Sequence, residues 1–191
     1  MIQLQAGGAP VSSAASTLKG AAPPRRTAPF TEEPGFYEPA GLWFYGNIGL
    51  LDCRLGYVER ALGTPDRRHS ALQDVERDAE DLVFNGGILV GGIHNVCHMR
   101  ASVIPLRWGS PRILVFSGGF RFHLGNELLE EPFLSASLWR SKWDARTDLV
   151  VSRRAPDKLP TFANYNPTVD RLIERIARKE DLGIFSLDIA A

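Results

Sequence analysis

The sequence predicts an α/β fold: an open, doubly wound, mostly parallel sheet in one domain. Two observations carry this. Gly87-Ile88-Leu89-Val90 and Arg112-Ile113-Leu114-Val115-Phe116 are short, partly β-branched apolar runs that end at glycines, the pattern of strands buried on both faces. Between them, Asn95 to Val103 has helical length and spacing, which makes a βαβ unit.

The remaining elements follow in chain order. Met1 to Glu38 is rich in Ala, Gly, Ser and Pro, has no periodicity and carries Arg25-Arg26; it reads as a flexible arm ahead of a domain spanning 39–191. The arm is expected to solubilise rather than to hold phosphate. Trp43, Phe44 and Tyr45 lie between Gly41 and Gly46. A short edge strand or a turn that buries its rings is favoured over a base-stacking platform. Arg54 to Val58 is a candidate first strand. Ser70 to Phe84 is an amphipathic helix, with Leu72, Val75, Ala79, Leu82 and Val83 on one face and Asn85-Gly86-Gly87 as its stop. Gly125 to Arg140 reads as a helix interrupted at Pro132. Asp148 to Ser152 is a third buried strand, and 153–166 is a proline-punctuated loop. Thr168 to Lys179 is a helix, and Leu182 to Ile189 a last strand.

The bulk numbers exclude several function classes. The 191 residues suit one domain. Lysine plus arginine and aspartate plus glutamate each number 22, so no global field draws nucleic acid or anionic lipid, and any basic site is local. Two cysteines fit a reducing compartment. No run has the length of a membrane span and no secretory start is visible. A cytoplasmic protein without membrane contact is expected.

In open α/β sheets, ligands bind outside the carboxyl ends of the strands. Gly86, Gly87, Gly91, Gly92, Gly118 and Gly119, with Ser117, are therefore candidates to bring backbone amides close to an anion. They match neither the Walker spacing nor a clean G-x-G-x-x-G, and a role in tight turns is the equal alternative. Ser152-Arg153-Arg154 with Lys158 follows a strand directly, where guanidinium groups can hold phosphate; a solvated loop with local ion pairs is the equal alternative. Trp139-Arg140-Ser141-Lys142-Trp143 interleaves the same residue types. His94 and His98 lie four apart and could share zinc on a helix. Only His123 is a plausible further histidine and no carboxylate stands out, so a helix-start histidine near phosphate, or a satisfied core histidine, is preferred. No nucleophile triad and no clear catalytic base are visible; Glu127, Glu130 and Glu131 are expected in a first helical turn on dipole grounds. Neither a metal nor a cofactor is expected, and the enzyme question leans to no.

Several segments together resemble a family. Leu42-Trp43-Phe44-Tyr45-Gly46-Asn47 resembles L-Y-x-x-G-[ND]. Gly91 to His98 resembles G-I-D-x-x-x-H, and Arg112 to Phe120 resembles T-I-A-V-L-G-x-G-L. Leu149 to Ser152 with Pro156 resembles L-x-S-E-x-P, and Asn166 to Ile173 resembles F-P-x-R-N-R-x-I. Order and spacing from Leu42 to about Ala177 are similar to the DprA/Smf DNA-processing proteins, of Rossmann-like fold within the SLOG group. This chain has Val58, His94, Arg153, Val169 and Asp170 where that pattern has Gly, Asp, Glu, Arg and Asn.

The resemblance implies a non-catalytic protein that binds single-stranded DNA in a basic pocket, self-associates as a homodimer and hands DNA to a RecA-type recombinase. It places that pocket at Arg60, Arg153, Arg154 and Arg171. A SLOG-type pocket that binds or hydrolyses a nucleotide-derived ligand is the alternative. However, Ser117-Gly118-Gly119-Phe120 does not continue as the P-G-G-x-G-T-x-x-E of the phosphoribohydrolases. An interaction module with a degenerate pocket is the third expectation.

Overall fold

A computed structural model describes residues 30–160 and 166–180. Arg25-Arg26 and the strand expected over Leu182 to Ile189 lie outside the described residues. Six strands form one mixed sheet in the order β1-β2-β6-β5-β4-β3. The strands β3 (Leu55–Gly56), β4 (Ile88–Gly92), β5 (Arg112–Phe116) and β6 (Leu149–Ser152) run parallel. On the far side β2 (Leu42–Asn47) pairs antiparallel with β6, and β1 (Phe30–Tyr37) antiparallel with β2. The expected α/β, mostly parallel Rossmann-like sheet in one domain is what the chain adopts.

Helices cover both faces. On one lie α1 (His69–Phe84), α2 (Val96–Arg107) and the short α3 (Phe120–Leu124). Their apolar sides meet Leu89, Leu114, Phe116 and Val150. On the other lies α4 (Pro167–Ala177), whose Val169, Leu172, Ile173 and Ile176 pack on Val90, Ile113, Val115, Leu149 and Val151. The parallel strands are apolar on both faces because both faces are covered.

The structure corrects four expectations. Residues Phe30–Tyr37 form an edge strand instead of continuing the arm, because β2 presents a free edge that their backbone satisfies. Strand β2 is internal, not an edge. Its Phe44 and Tyr45 are buried on opposite faces, and the half-buried Trp43 lies 5.1 Å from Phe36 between ring centroids. The base-stacking alternative therefore fails for the two buried rings.

The Gly125 to Arg140 helix does not form. Gly125 has φ +73° and Leu128 φ +55°, values that break a right-handed helix. Past Pro132 only a 3-10 turn, Leu134–Leu138, is left. Finally, Gly86 and Gly87 sit at the amino end of β4. Gly86 has φ +74°, its amide bonds the Val83 carbonyl, and the Gly87 amide bonds the Leu82 carbonyl. Those are the two hydrogen bonds of a Schellman helix stop. They terminate α1 on the opposite edge of the sheet from any ligand crevice.

Candidate functional site at the carboxyl edge

Strands β5 and β6 are neighbours, yet the helices that follow them go to opposite faces: α3 to one, α4 to the other. Diverging connections open a crevice at the carboxyl ends of such a pair. A cavity of about 350 Å3 lies there, lined by Phe116, Ser117, Arg153, Arg154 and, from the start of α4, Asn166 and Thr168. Its deeper wall is Val169 and Leu172.

Local chemistry fixes this geometry. The Ser152 hydroxyl, fully buried, donates to the Gly118 carbonyl at 2.8 Å and accepts from the Arg154 amide at 3.0 Å. It therefore ties the end of β6 to the β5–α3 turn and turns the two arginines over the crevice. Arg154 donates from Nη1 to the Leu159 carbonyl at 3.1 Å. Arg153 is exposed and makes no hydrogen bond or ion pair with other described residues. Helix α4 opens with Pro167, which has no amide to leave unsatisfied, and with Asn166 as cap, its side chain accepting from the Val169 amide at 3.3 Å.

The glycines play a different part from the one expected. The Gly119 amide already donates to the Lys158 carbonyl at 2.6 Å, and the Arg121 amide to the Pro156 carbonyl at 3.1 Å. A Cβ on Gly118 would stand 2.5 Å from the Pro160 Cα, and one on Gly119 would run into Pro156. Here glycine lets the 153–160 loop lie directly on the β5–α3 turn. Gly91 and Gly92 are the last residues of β4, paired with Leu114 and Val115. A Cβ there would strike the Ser102 hydroxyl and the His94 ring respectively.

The cationic candidates separate. Arg60 follows β3 and is paired with Asp78 at 3.0 Å and Asp74 at 3.8 Å. Lys158 and Arg171 are exposed, and neither lines the crevice. Arg140 and Trp143 of the aromatic-basic stretch belong to a buried network. Arg112, with no exposure, bonds Asp148 at 2.9 Å and both oxygens of Glu131 at 2.7 Å, and Arg140 joins through the same two acids. Both guanidinium carbons lie 5.7 Å from the Trp143 ring centroid. Glu131 is thus a network member and not a first-turn helical acid.

A second cluster stands beside the crevice. His94 and His98 each place Nε2 against Oδ1 of Asp170, at 2.9 and 3.0 Å. The other carboxylate oxygen accepts from the Gly63 amide at 2.9 Å, and His98 Nδ1 accepts from the Gly92 amide at 3.3 Å. Burial pushes the Asp170 carboxyl up, but the bonds from His94, His98 and Gly63 outweigh it and hold the group below the ordinary carboxylate range. Burial pushes His98 down, only partly offset by the Asp170 hydrogen bond. Asp170 is the carboxylate that sequence reasoning missed: it lies 72 residues from His98 in the chain. His123 is elsewhere, packed 4.6 Å from the Phe116 ring centroid.

A larger apolar groove of about 610 Å3 separates α2 from the Leu134–Leu138 turn, away from the strand ends. Among the described residues, no helix is long and apolar enough to cross a membrane. No family model, curated protein or solved structure matches this chain.

Proposed function

We propose that the crevice between the ends of β5 and β6 binds phosphate, and that its ligand is the backbone of single-stranded DNA. The observation that carries this reading is the placing of Arg153 and Arg154 over a cavity whose far wall is the start of α4. Guanidinium groups are the usual partners of phosphate oxygens, and they carry the reading here, because Pro167 has no amide and the Val169 and Asp170 amides already bond Asn166. Ser117 and Thr168 add hydroxyls on the same rim. The glycine turn contributes by shape: it lets the basic loop lie close to the sheet, its own Gly119 amide being engaged. Among the described residues that line the crevice, none pairs a nucleophile with a base, and the reading is binding without covalent chemistry.

The test is fluorescence anisotropy with labelled oligo-dT at two salt concentrations. Arg153→Ala with Arg154→Ala is expected to weaken binding at least tenfold and to lower the salt slope by about one for each phosphate no longer neutralised. Unchanged affinity and slope would remove this crevice as the site.

The volume of the cavity favours a second reading. About 350 Å3 is at the small end of pockets that enclose a compact ligand, roughly 300–1,000 Å3. A nucleotide or related phosphorylated metabolite would then be the occupant. Thermal shift across a nucleotide panel separates the two: stabilisation by a mononucleotide, with no oligonucleotide binding, selects the second.

A further inference from the structure

We propose that His94, His98 and Asp170 form a binding site for a divalent transition metal of the zinc class. Three separate elements bring the donors together: the turn after β4, the first turn of α2, and α4. Their candidate ligand atoms all lie within 4.8 Å of one another. The side chains are 1%, 2% and 8% exposed, so the three donors are held in a protected site and not on the surface. Two imidazoles and one carboxylate are a borderline donor set that suits zinc, with a fourth position left for water.

The proton inventory bears on the affinity of the site and not on its location. In the tautomer that suits Asp170, each imidazole donates an Nε2 proton to the same carboxylate oxygen. Coordination through Nε2 moves that proton to Nδ1. His94 Nδ1 is buried and has no hydrogen-bond partner, so the shift breaks nothing there. His98 Nδ1 accepts from the Gly92 amide at 3.3 Å, and that long bond is given up. A metal-bound histidine usually has an acceptor for its second nitrogen; neither ring has one, so the affinity is expected in the micromolar range and not at that of a structural zinc site. Asp170 is better supported, because the Gly63 amide holds its outer oxygen.

The spacing is close to what an ion needs. Ligands about 2.0–2.1 Å from tetrahedral zinc stand roughly 3.3 Å apart, against the 2.9 and 3.0 Å here. Loading therefore asks the two histidine–carboxylate contacts to open by a few tenths of an ångström, and the two imidazoles, whose donor atoms lie within 4.8 Å of one another, to close towards the same spacing. Cys97, next to His98 in sequence, is not part of the set: its Sγ lies 3.5 Å from the Asp66 carbonyl.

The experiment uses the full chain, stripped with a chelator and then titrated with Zn2+ against a chromophoric competitor, with Co2+ absorption as a second readout. One zinc per chain is expected, with a visible cobalt band of low-coordinate type. Asp170→Asn and, separately, His94→Gln are expected to weaken zinc at least tenfold and to lose the cobalt band. Circular dichroism verifies that each variant is folded, and His94→Gln serves if the Asp170 variant is not. Failure of the folded wild type to take zinc at 100 μM would overturn the proposal and leave the three side chains as a hydrogen-bonded clamp. Zinc binding that survives in His94→Gln and Asp170→Asn would overturn it equally, by placing the metal elsewhere. Neither readout depends on nucleic acid or nucleotide binding.

Discussion

Arg112 Nε and Asp148 Oδ2 stand 2.9 Å apart with neither side chain exposed to solvent. The pair joins the first residue of β5 to the residue before β6, and Glu131 and Arg140 complete it. Removing one partner from a buried pair strands the other charge, which costs about 3–5 kcal/mol. Asp148→Ala is accordingly expected to lower unfolding free energy by that amount in urea denaturation. Glu127→Ala, at an exposed position, should stay within about 0.5 kcal/mol. Equal effects of the two would show that the network contributes nothing.

Much of the fold was legible because the strongest signals were periodic or punctuated. The run Arg112 to Phe116 became β5 with the bounds expected, and the α1 stripe ended at Asn85-Gly86-Gly87 as read. What stayed hidden depends on contacts distant in sequence. Nothing near Arg112 indicates that its charge is buried, since its partners are 19 and 36 residues away. His94 and His98 were visible as a pair, but Asp170 looked like one more charged residue at a helix start. Two positions at which the chain departs from the DprA/Smf pattern, His94 and Asp170, turn out to touch. The glycines at the strand ends were visible, but not that Pro160 and Pro156 pack against Gly118 and Gly119, because those two prolines come much later in the chain.

His123 supplies a pH dependence. Burial against Phe116 and Phe122 lowers its pKa to about 4, below the roughly 6.5 of an unfolded chain. The unfolded state therefore binds more protons between those values. This contribution is fully present above about pH 6.5 and is lost as pH falls towards 4. Its size is of order 1–2 kcal/mol once partial exposure is allowed for. His123→Phe should flatten that part of a stability–pH curve; an unchanged slope between pH 6.5 and 4 would refute the assignment.

Gly119→Ala tests the contact between the basic loop and the β5–α3 turn. Its methyl group would run into Pro156, and overpacking of this kind costs about 1–3 kcal/mol. The loop should lift, so limited proteolysis at Arg153, Arg154 and Lys158 is expected to accelerate. Retained protease resistance would mean that the loop is held from elsewhere.

Gly86→Ala is the matching control on the opposite edge. It has open space for a methyl group but φ +74°, so about 1 kcal/mol of stability should be lost through backbone strain alone. Ligand affinity at the carboxyl edge should not change. A parallel loss of oligonucleotide binding would place the ligand somewhere other than the β5–β6 crevice.

The two outer strands carry a consequence for how copies of this protein meet. Strand β1 carries Glu32, Glu33 and Pro34 and changes register between Thr31 and Gly35, while β3 is only two residues long. Charge, proline, irregular pairing and brevity each make a poor template for a further strand. Among the described residues neither border of the sheet invites extension into a fibril. Strand-to-strand contact between copies at either border would start from a poor template.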